Sequence, residues 1–265
     1  MRPLTYDVAA FNTATDSTNK IHDDGVAQQY GFRAGLVPGV DVYAYLTRAA
    51  VEHYGAGWLS SGGIAARLHQ PVYDGDTVTV TASPQADGSL ELVLADSAGA
   101  ACARGRATDR PAPIDRSLPA MAALPADRPP ASAAALPVGK VLGSLHEVFD
   151  PAKADRYLAE VRETLSLYRD GPNGEPIAHP GWLLRFANTI LSSNVTLGPW
   201  IHVESDVRLL GLVAPGQDLE TRGVVLDEFE RKGHRFVTLD VAVLADGDLV
   251  ERVTHTAIHT PRRVA

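Results

Sequence analysis

Within the stretch "DSTNKIHDD", residues 16–24, Asn19 and His22 stand three positions apart. An imidazole titrates close to neutral pH, so His22 can take a proton from water and give one back. The amide of Asn19 does not titrate; it can orient a water or hold the loop. Three carboxylates share the stretch, Asp16, Asp23 and Asp24. Asp23 and Asp24 lead into a segment of helical pattern, where acids cap the free N–H groups of a first turn. Ser17 cannot act as a base unless something activates it, and Lys20 reads as an exposed loop charge.

The nine histidines raise the question of a metal. His255 and His259 lie four apart in "VTHTAIHT", which reads as a strand with both on one face. HExxH does not occur, and the single cysteine, Cys102, leaves neither a disulfide nor a multi-cysteine zinc site. No metal is expected. His179, just before Pro180, reads as a structural histidine.

Two long helices must position whatever site there is. "PGVDVYAYLTRAAVEHYG", residues 38–55, sets Val40, Tyr43, Ala44, Thr47, Ala50, Val51 and Tyr54 at helical spacing between Pro38 and Gly55. "HPGWLLRFANTILSSN", residues 179–194, has the same form, with Leu183, Phe186, Ala187, Ile190 and Leu191 as its stripe. The likeness continues into "ARLHQPVYDGDTVTV" and "VRLLGLVAPGQDLET". Pro38 matches Pro180 at an offset of 142, while Arg67 with Arg208 and Gly75 with Gly216 give 141. The chain reads as two copies of one unit. Each copy ends in three runs of strand type: "DTVTVTA", "SLELVLAD" and "AACARGRAT" in the first, "LETRGVVLDEF", "RFVTLDVAVLAD" and "LVERVTHTAIHT" in the second. Alternation and the intervening turn residues predict antiparallel hairpins.

Residues 109–137 hold 7 prolines and 9 alanines, the composition of an irregular connection over the surface. The division that follows is a first unit at 1–108, a linker at 109–137 and a second unit at 138–265. "DPAKADRYLAEVRETLSLY", residues 150–168, reads as one further helix with an Asp cap and an early proline, without a counterpart in the first unit.

The segment "TNKIHDDGVAQQYGFRAGLVPGV" resembles the hydratase segment of the MaoC-like (R)-specific enoyl-CoA hydratase/dehydratase family. That motif runs Gly-Asp-x-Asn-Pro-hydrophobic-His, then a short helix and a Gly-Phe turn into a central helix. Asn19, Ile21 and His22 match in register, Ala27 meets the small position, and Gly75 and Asp76 suit the strand start. The resemblance implies an α+β fold of double hot-dog type: two tandem units, each a long helix wrapped by an antiparallel sheet. Its motif content sits in residues 14–45. Ser17 stands where the family has its catalytic Asp, Asp16 at the preceding Gly, and Lys20 at the Pro.

Adding water to an α,β-unsaturated thioester needs a base for the water, an acid for the α-carbon and donors for charge on the thioester oxygen. The resemblance implies that His22 and a carboxylate hold the water, and that backbone N–H groups at Gly39 and Val40 polarise the carbonyl. Three arrangements stay open: a bulge turns Asp16 inward; His22 works while Ser17 and Asn19 position groups; or the pocket binds an acyl thioester without turning it over. The offset of 142 carries Asn19 and His22 onto Val161 and Thr164, so one site per chain is expected, in the first unit, with the second shaping the acyl tunnel. A hydratase or dehydratase is the leading reading. A thioesterase, a cyclase or isomerase, and an idle acyl-binding protein are the alternatives. No cofactor is expected; coenzyme A or a carrier-protein arm would be part of the substrate.

A net charge of −8 without a basic cluster argues against nucleic acid and anionic membrane surfaces as partners. The N-terminus has no signal-like apolar region and no apolar run reaches the roughly 18 residues of a membrane span, so the cytoplasm is expected. A duplicated chain is already a pseudo-dimer, and a homodimer of two such chains stays open.

Overall fold

The structure, a computed structural model, describes residues 3–263. The first half runs β1 (Leu4–Ala9), a 3-10 turn (Lys20–His22), α1 (Asp24–Gln28), α2 (Gly39–Tyr54), β2 (Gly63–Leu68), β3 (Thr77–Pro84), β4 (Leu90–Ala95) and β5 (Ala101–Thr108). The second runs β6 (Val141–Val148), α3 (Pro151–Glu160), a 3-10 turn (Ser166–Tyr168), α4 (Pro180–Asn194), β7 (Ile201–Leu209), β8 (Asp218–Arg231), β9 (His234–Ala245) and β10 (Asp248–Thr260).

All ten strands form one antiparallel sheet, in the order β1-β3-β4-β5-β2-β7-β10-β9-β8-β6. Read from its middle outward, the order is the same in both directions: the second and seventh strands meet, and each half repeats the other's pairing. Alternation explains the hairpins. In β3, Val78, Val80 and Ala82 are buried while the threonines between them face outward. The turns into β3 and β8 place Gly75 at φ +74° and Gly216 at φ +82°, a left-handed conformation that disfavours side chains.

The two central helices lie inside the curve of this sheet and pack on each other. Eleven of the sixteen residues of α2 are buried, including Asp41 and Thr47, so it is apolar on more than one face. Leu46, fully buried there, would cost about 2–5 kcal/mol on truncation to alanine. At Gly181 of α4 the two helices come close: a β-carbon there would stand 2.6 Å from that of Ala44 of α2. No helix among the described residues is long and apolar enough to cross a membrane.

The structure corrects two expectations and adds two strands. The helix anticipated over 150–168 stops at Glu160. Arg162 turns left-handed at φ +58°, and Glu163 folds inward, its carboxylate accepting the Leu165 N–H at 2.7 Å. Nor is that segment without a counterpart, since the turn at Lys20–His22 and α1 fill the same place between first strand and central helix. Strands β1 and β6, unassigned from sequence, are the two edges of the sheet. The Pro/Ala-rich stretch contains no helix or strand, yet it is fastened to the second half. Ser144 donates to the Ala122 carbonyl at 2.8 Å, and Arg252 to that of Ser117 at 2.7 Å.

Candidate active site

The loop after β1 builds the site. Asn19 caps the 3-10 turn, its Oδ1 accepting the Ile21 N–H at 3.3 Å. The same oxygen accepts the Trp200 N–H at 3.1 Å, while Nδ2 donates to the Trp200 carbonyl at 2.9 Å. This two-point clasp fixes the amide's orientation, because only the oxygen can face an N–H. It also ties the loop of the first half to the start of β7 in the second.

His22 is half-buried, and its Nδ1 lies 2.7 Å from the Leu36 carbonyl. A carbonyl only accepts, so Nδ1 carries the proton and Nε2 presents a lone pair. Nε2 faces Asn19 Nδ2 at 3.3 Å. Burial pushes the imidazole below its ordinary pKa, against the opposing effect of the Leu36 bond. The ring is therefore a neutral base at neutral pH. Its backbone is held from two sides: Asn12 Nδ2 donates to the His22 carbonyl at 3.0 Å, and Gly35 passes so close that a β-carbon would overlap that same oxygen. Asp23 caps α1 through the Val26 N–H, and Asp24 accepts the Gly35 N–H at 2.8 Å, so both acids shape the loop.

Two hollows meet at this pair, and Asn19, His22, Pro38, Asn188 and Trp200 line both. One is an apolar cleft of about 220 Å³ walled by Ile21, Phe32, Leu36, Val42, Leu68 and Ile258, among others. Gly39, the first residue of α2, lines it. The other is more polar, about 330 Å³, with Thr13, Asp16, Ser17, Thr18 and Arg185 on its walls; Val40 borders it. Asp16 is exposed. Ser17 is half-buried, its Oγ accepting the Asn19 N–H at 3.1 Å. Among the described residues neither makes a hydrogen bond to His22. Thus Asn19, His22, Ser17 and Asp16 gather at one place, with Gly39 and Val40 at the helix end beside it.

No family model matches the sequence, and no curated protein matches it. Solved structures do share the fold. One is described as a MaoC-domain dehydratase from Chloroflexus aurantiacus J-10-fl, at 13% identity and a TM-score of 0.67, covering 98% of this chain and 95% of that one. Another, from Mycobacterium tuberculosis, is described as having a double hot-dog fold; it is 14% identical with a TM-score of 0.66, over 97% and 96% of the two chains. The fold is a double hot dog. It is also that of a protein described as an oleoyl thioesterase from Lactobacillus plantarum, at 12% identity and a TM-score of 0.58 over 98% of each chain. Proteins described as a dehydratase and as a thioesterase share this fold, so the fold alone assigns no activity.

Several residues around the site of this double hot dog were not found from sequence. Asp41 is fully buried, accepting from Thr13 Oγ1 at 2.6 Å and from Arg185 at 2.9 Å. An aspartate beside the apolar stripe, in the first turn of α2, was the available signal. Trp200, Asn188 and His202 enter the cleft from the second half. Trp200 serves through its backbone, which residue type does not encode. The second half also carries a buried polar pair that the offset missed: Glu163 and His179 stand 3.7 Å apart at the start of α4, both nearly inaccessible.

Proposed function

We propose that the chain adds water to, or removes it from, an α,β-unsaturated acyl thioester, with His22 as both base and acid. The observation that carries this is the lone pair on Nε2 of a neutral, half-buried imidazole at the junction of an apolar cleft and a more polar hollow. Among the described residues the Asn19 amide alone contacts that nitrogen. The acyl chain fits the cleft. The polar arm of coenzyme A or of a carrier protein fits the hollow, beside Arg185.

In the hydration direction, His22 Nε2 takes a proton from water as its oxygen bonds to the β-carbon. The electron pair of the double bond moves onto the thioester carbonyl, giving an enolate. The N–H groups at the start of α2, at Gly39 and Val40, have no partner within their own helix and offset that charge. The imidazolium then returns a proton to the α-carbon, so one H and one OH are added and the thioester stays whole. Asn19 holds His22 in place and must release Nε2 to the incoming water. A lowered imidazole pKa keeps the base unprotonated into mildly acid solution, so the acid limb of the turnover profile should fall below about 6.5.

Crotonyl-CoA tests the reading. Loss of enoyl absorbance with the thioester retained is the expected result. His22→Ala should lower it by about 10²–10⁴-fold without changing the unfolding temperature. Release of free thiol instead would make the chain a thioesterase, and tight binding without turnover an acyl-binding protein. An unimpaired His22→Ala would overturn the assignment.

A further inference from the structure

The wall that β7 contributes to the cleft carries His202, buried and without a role so far. Its inward placement comes from a bulge. β7 pairs Glu204 with Thr256 but His202 with Ala257, which leaves Val203 as an extra residue. The bulge shifts the alternation, so His202 and Ser205, three apart, both face inward. His202 Nε2 lies 2.9 Å from Ser205 Oγ, which lies 2.9 Å from His255 Nδ1; the two imidazoles stack at 4.4 Å.

Burial keeps both rings neutral, pushing His202 down to about 4 and His255 well below its ordinary value. A neutral imidazole has one N–H, and the hydroxyl has one proton for its two neighbours. If Ser205 donates to His255, then His255 must bury an N–H on Nε2, an atom that has no partner deep in the sheet. If Ser205 donates to His202, then His255 donates back through Nδ1 and leaves only a lone pair unpaired. Each arrangement thus buries one N–H without a partner among the described residues: the first on His255 Nε2, deep in the sheet, the second on His202, in the cleft wall, where a ligand can accept it. An orphaned donor is costly, so with a ligand in the cleft the second arrangement is favoured. It places the His202 proton on Nδ1.

Among the described residues that Nδ1 has no partner, and it stands against the first residue of α2, 2.7 Å from where a β-carbon on Gly39 would be. The tip of Leu68 touches the same face of Gly39 and yields to a ligand more readily than backbone would. We infer that His202 Nδ1–H is a donor to the acyl thioester's carbonyl oxygen at the start of α2, supplied by the half of the chain that lacks the His22 motif. Ser205 and His255 are positioning residues that hold the proton on that nitrogen. This rests on the thioester reading above.

Two substitutions separate a ligand contact from a structural one. In His202→Asn the amide nitrogen takes the place of Nδ1; in His202→Gln the amide oxygen takes the place of Nε2 and accepts the bond from Ser205. The contact predicts that His202→Gln loses about tenfold to hundredfold in kcat for crotonyl-CoA, with a weaker Kd for butyryl-CoA, while His202→Asn retains most of both. The reverse pattern, Gln spared and Asn impaired, makes His202 a structural residue and overturns the inference. So does a Gln variant that matches the wild type while unfolding at the same temperature. A wild type that neither turns over crotonyl-CoA nor binds butyryl-CoA overturns the thioester reading itself, which the wild-type measurement alone reveals.

Discussion

The start of α2 and the start of α4 occupy matching places in the two halves, and the chain has put them to opposite uses. At α2 the first turn faces a cleft: Gly39 has open space on one side and the tips of Leu68 and His202 on the other. At α4 the equivalent space is filled with side chains. His179 caps the helix through the Gly181 N–H at 2.9 Å, Tyr157 presses its hydroxyl onto Gly181, and the Tyr168 ring lies tilted against that of His179, centroids 4.5 Å apart. Duplication allows this division of labour. The first turn of one helix borders a cleft, and that of the other is packed into core.

Swapping alanine into the two glycines tests the contrast most severely. In Gly39→Ala the new methyl meets His202 Nδ1 and the end of Leu68, so it intrudes on the cleft. Turnover should fall by about a hundredfold, as misplacement by an ångström does, with a modest change in unfolding temperature. In Gly181→Ala the methyl meets the Tyr157 hydroxyl and Ala44 in a closed core. It should cost about 1–3 kcal/mol in a urea titration and leave the activity of the folded fraction intact. The opposite assignment of the two losses would end the distinction between the sites.

Acid sharpens the comparison next. His202 in the second half titrates at about 4 when folded and near 6.5 when unfolded, so the unfolded chain binds more protons in between. Stability therefore falls as pH drops from about 6.5 toward 4, by about 2 kcal/mol at pH 5 from this group alone. His22 and His255 act in the same direction. The difference between wild type and His202→Gln, unfolded in urea at about pH 8 and about pH 5, isolates the His202 share. A difference independent of pH would mean that the ring is not held neutral by burial.

The two halves also differ in how they treat a buried acid. Asp41 in the first is paired with Thr13 and Arg185. Glu251 in the second is fully buried, both oxygens without a partner among the described residues, and burial pushes its carboxyl well above the ordinary range. A raised folded pKa means its contribution is best below the unfolded value near 4.5 and is lost as pH rises. Glu251→Met should thus stabilise by about 1 kcal/mol near neutral pH and by less near pH 4.5, read from thermal unfolding. Destabilisation at neutral pH would show that the acid has a partner after all.

How much of this was visible in the residues depends on distance along the chain. The hairpins β3–β5 and β8–β10 follow from alternation and nearby turns, and both central helices follow from their stripes. The joint of β2 with β7 pairs residues about 140 apart, such as Arg67 with Glu204, and no local pattern encodes it. The false continuation of α3 arose because Leu165 and Leu167 prolong a helical rhythm that Glu163 interrupts for a bond of its own. Asn19 and His22 stood out by type and spacing. His202 did not, since the bulge at Val203 takes it out of the alternation that would have marked it as inward.

The smallest effects are expected where a carboxylate was sought. Asp16 is exposed, and Ser17 spends its hydroxyl on the Asn19 N–H. A side chain that only steadies a turn is worth about 0.5–1 kcal/mol, so Ser17→Ala should lower kcat about threefold through the Asn19 clasp. Asp16→Asn, which keeps the shape and removes the charge, should change it less than about twofold, because nothing in the folded chain depends on that charge. Both variants are read with crotonyl-CoA against His22→Ala. A collapse in Asp16→Asn that rivals His22→Ala would mean that substrate draws the carboxylate inward to share the water with His22. The first half would then resemble a two-residue hydratase, and the contrast with α4 would lie in a mobile acid as well as an open helix end.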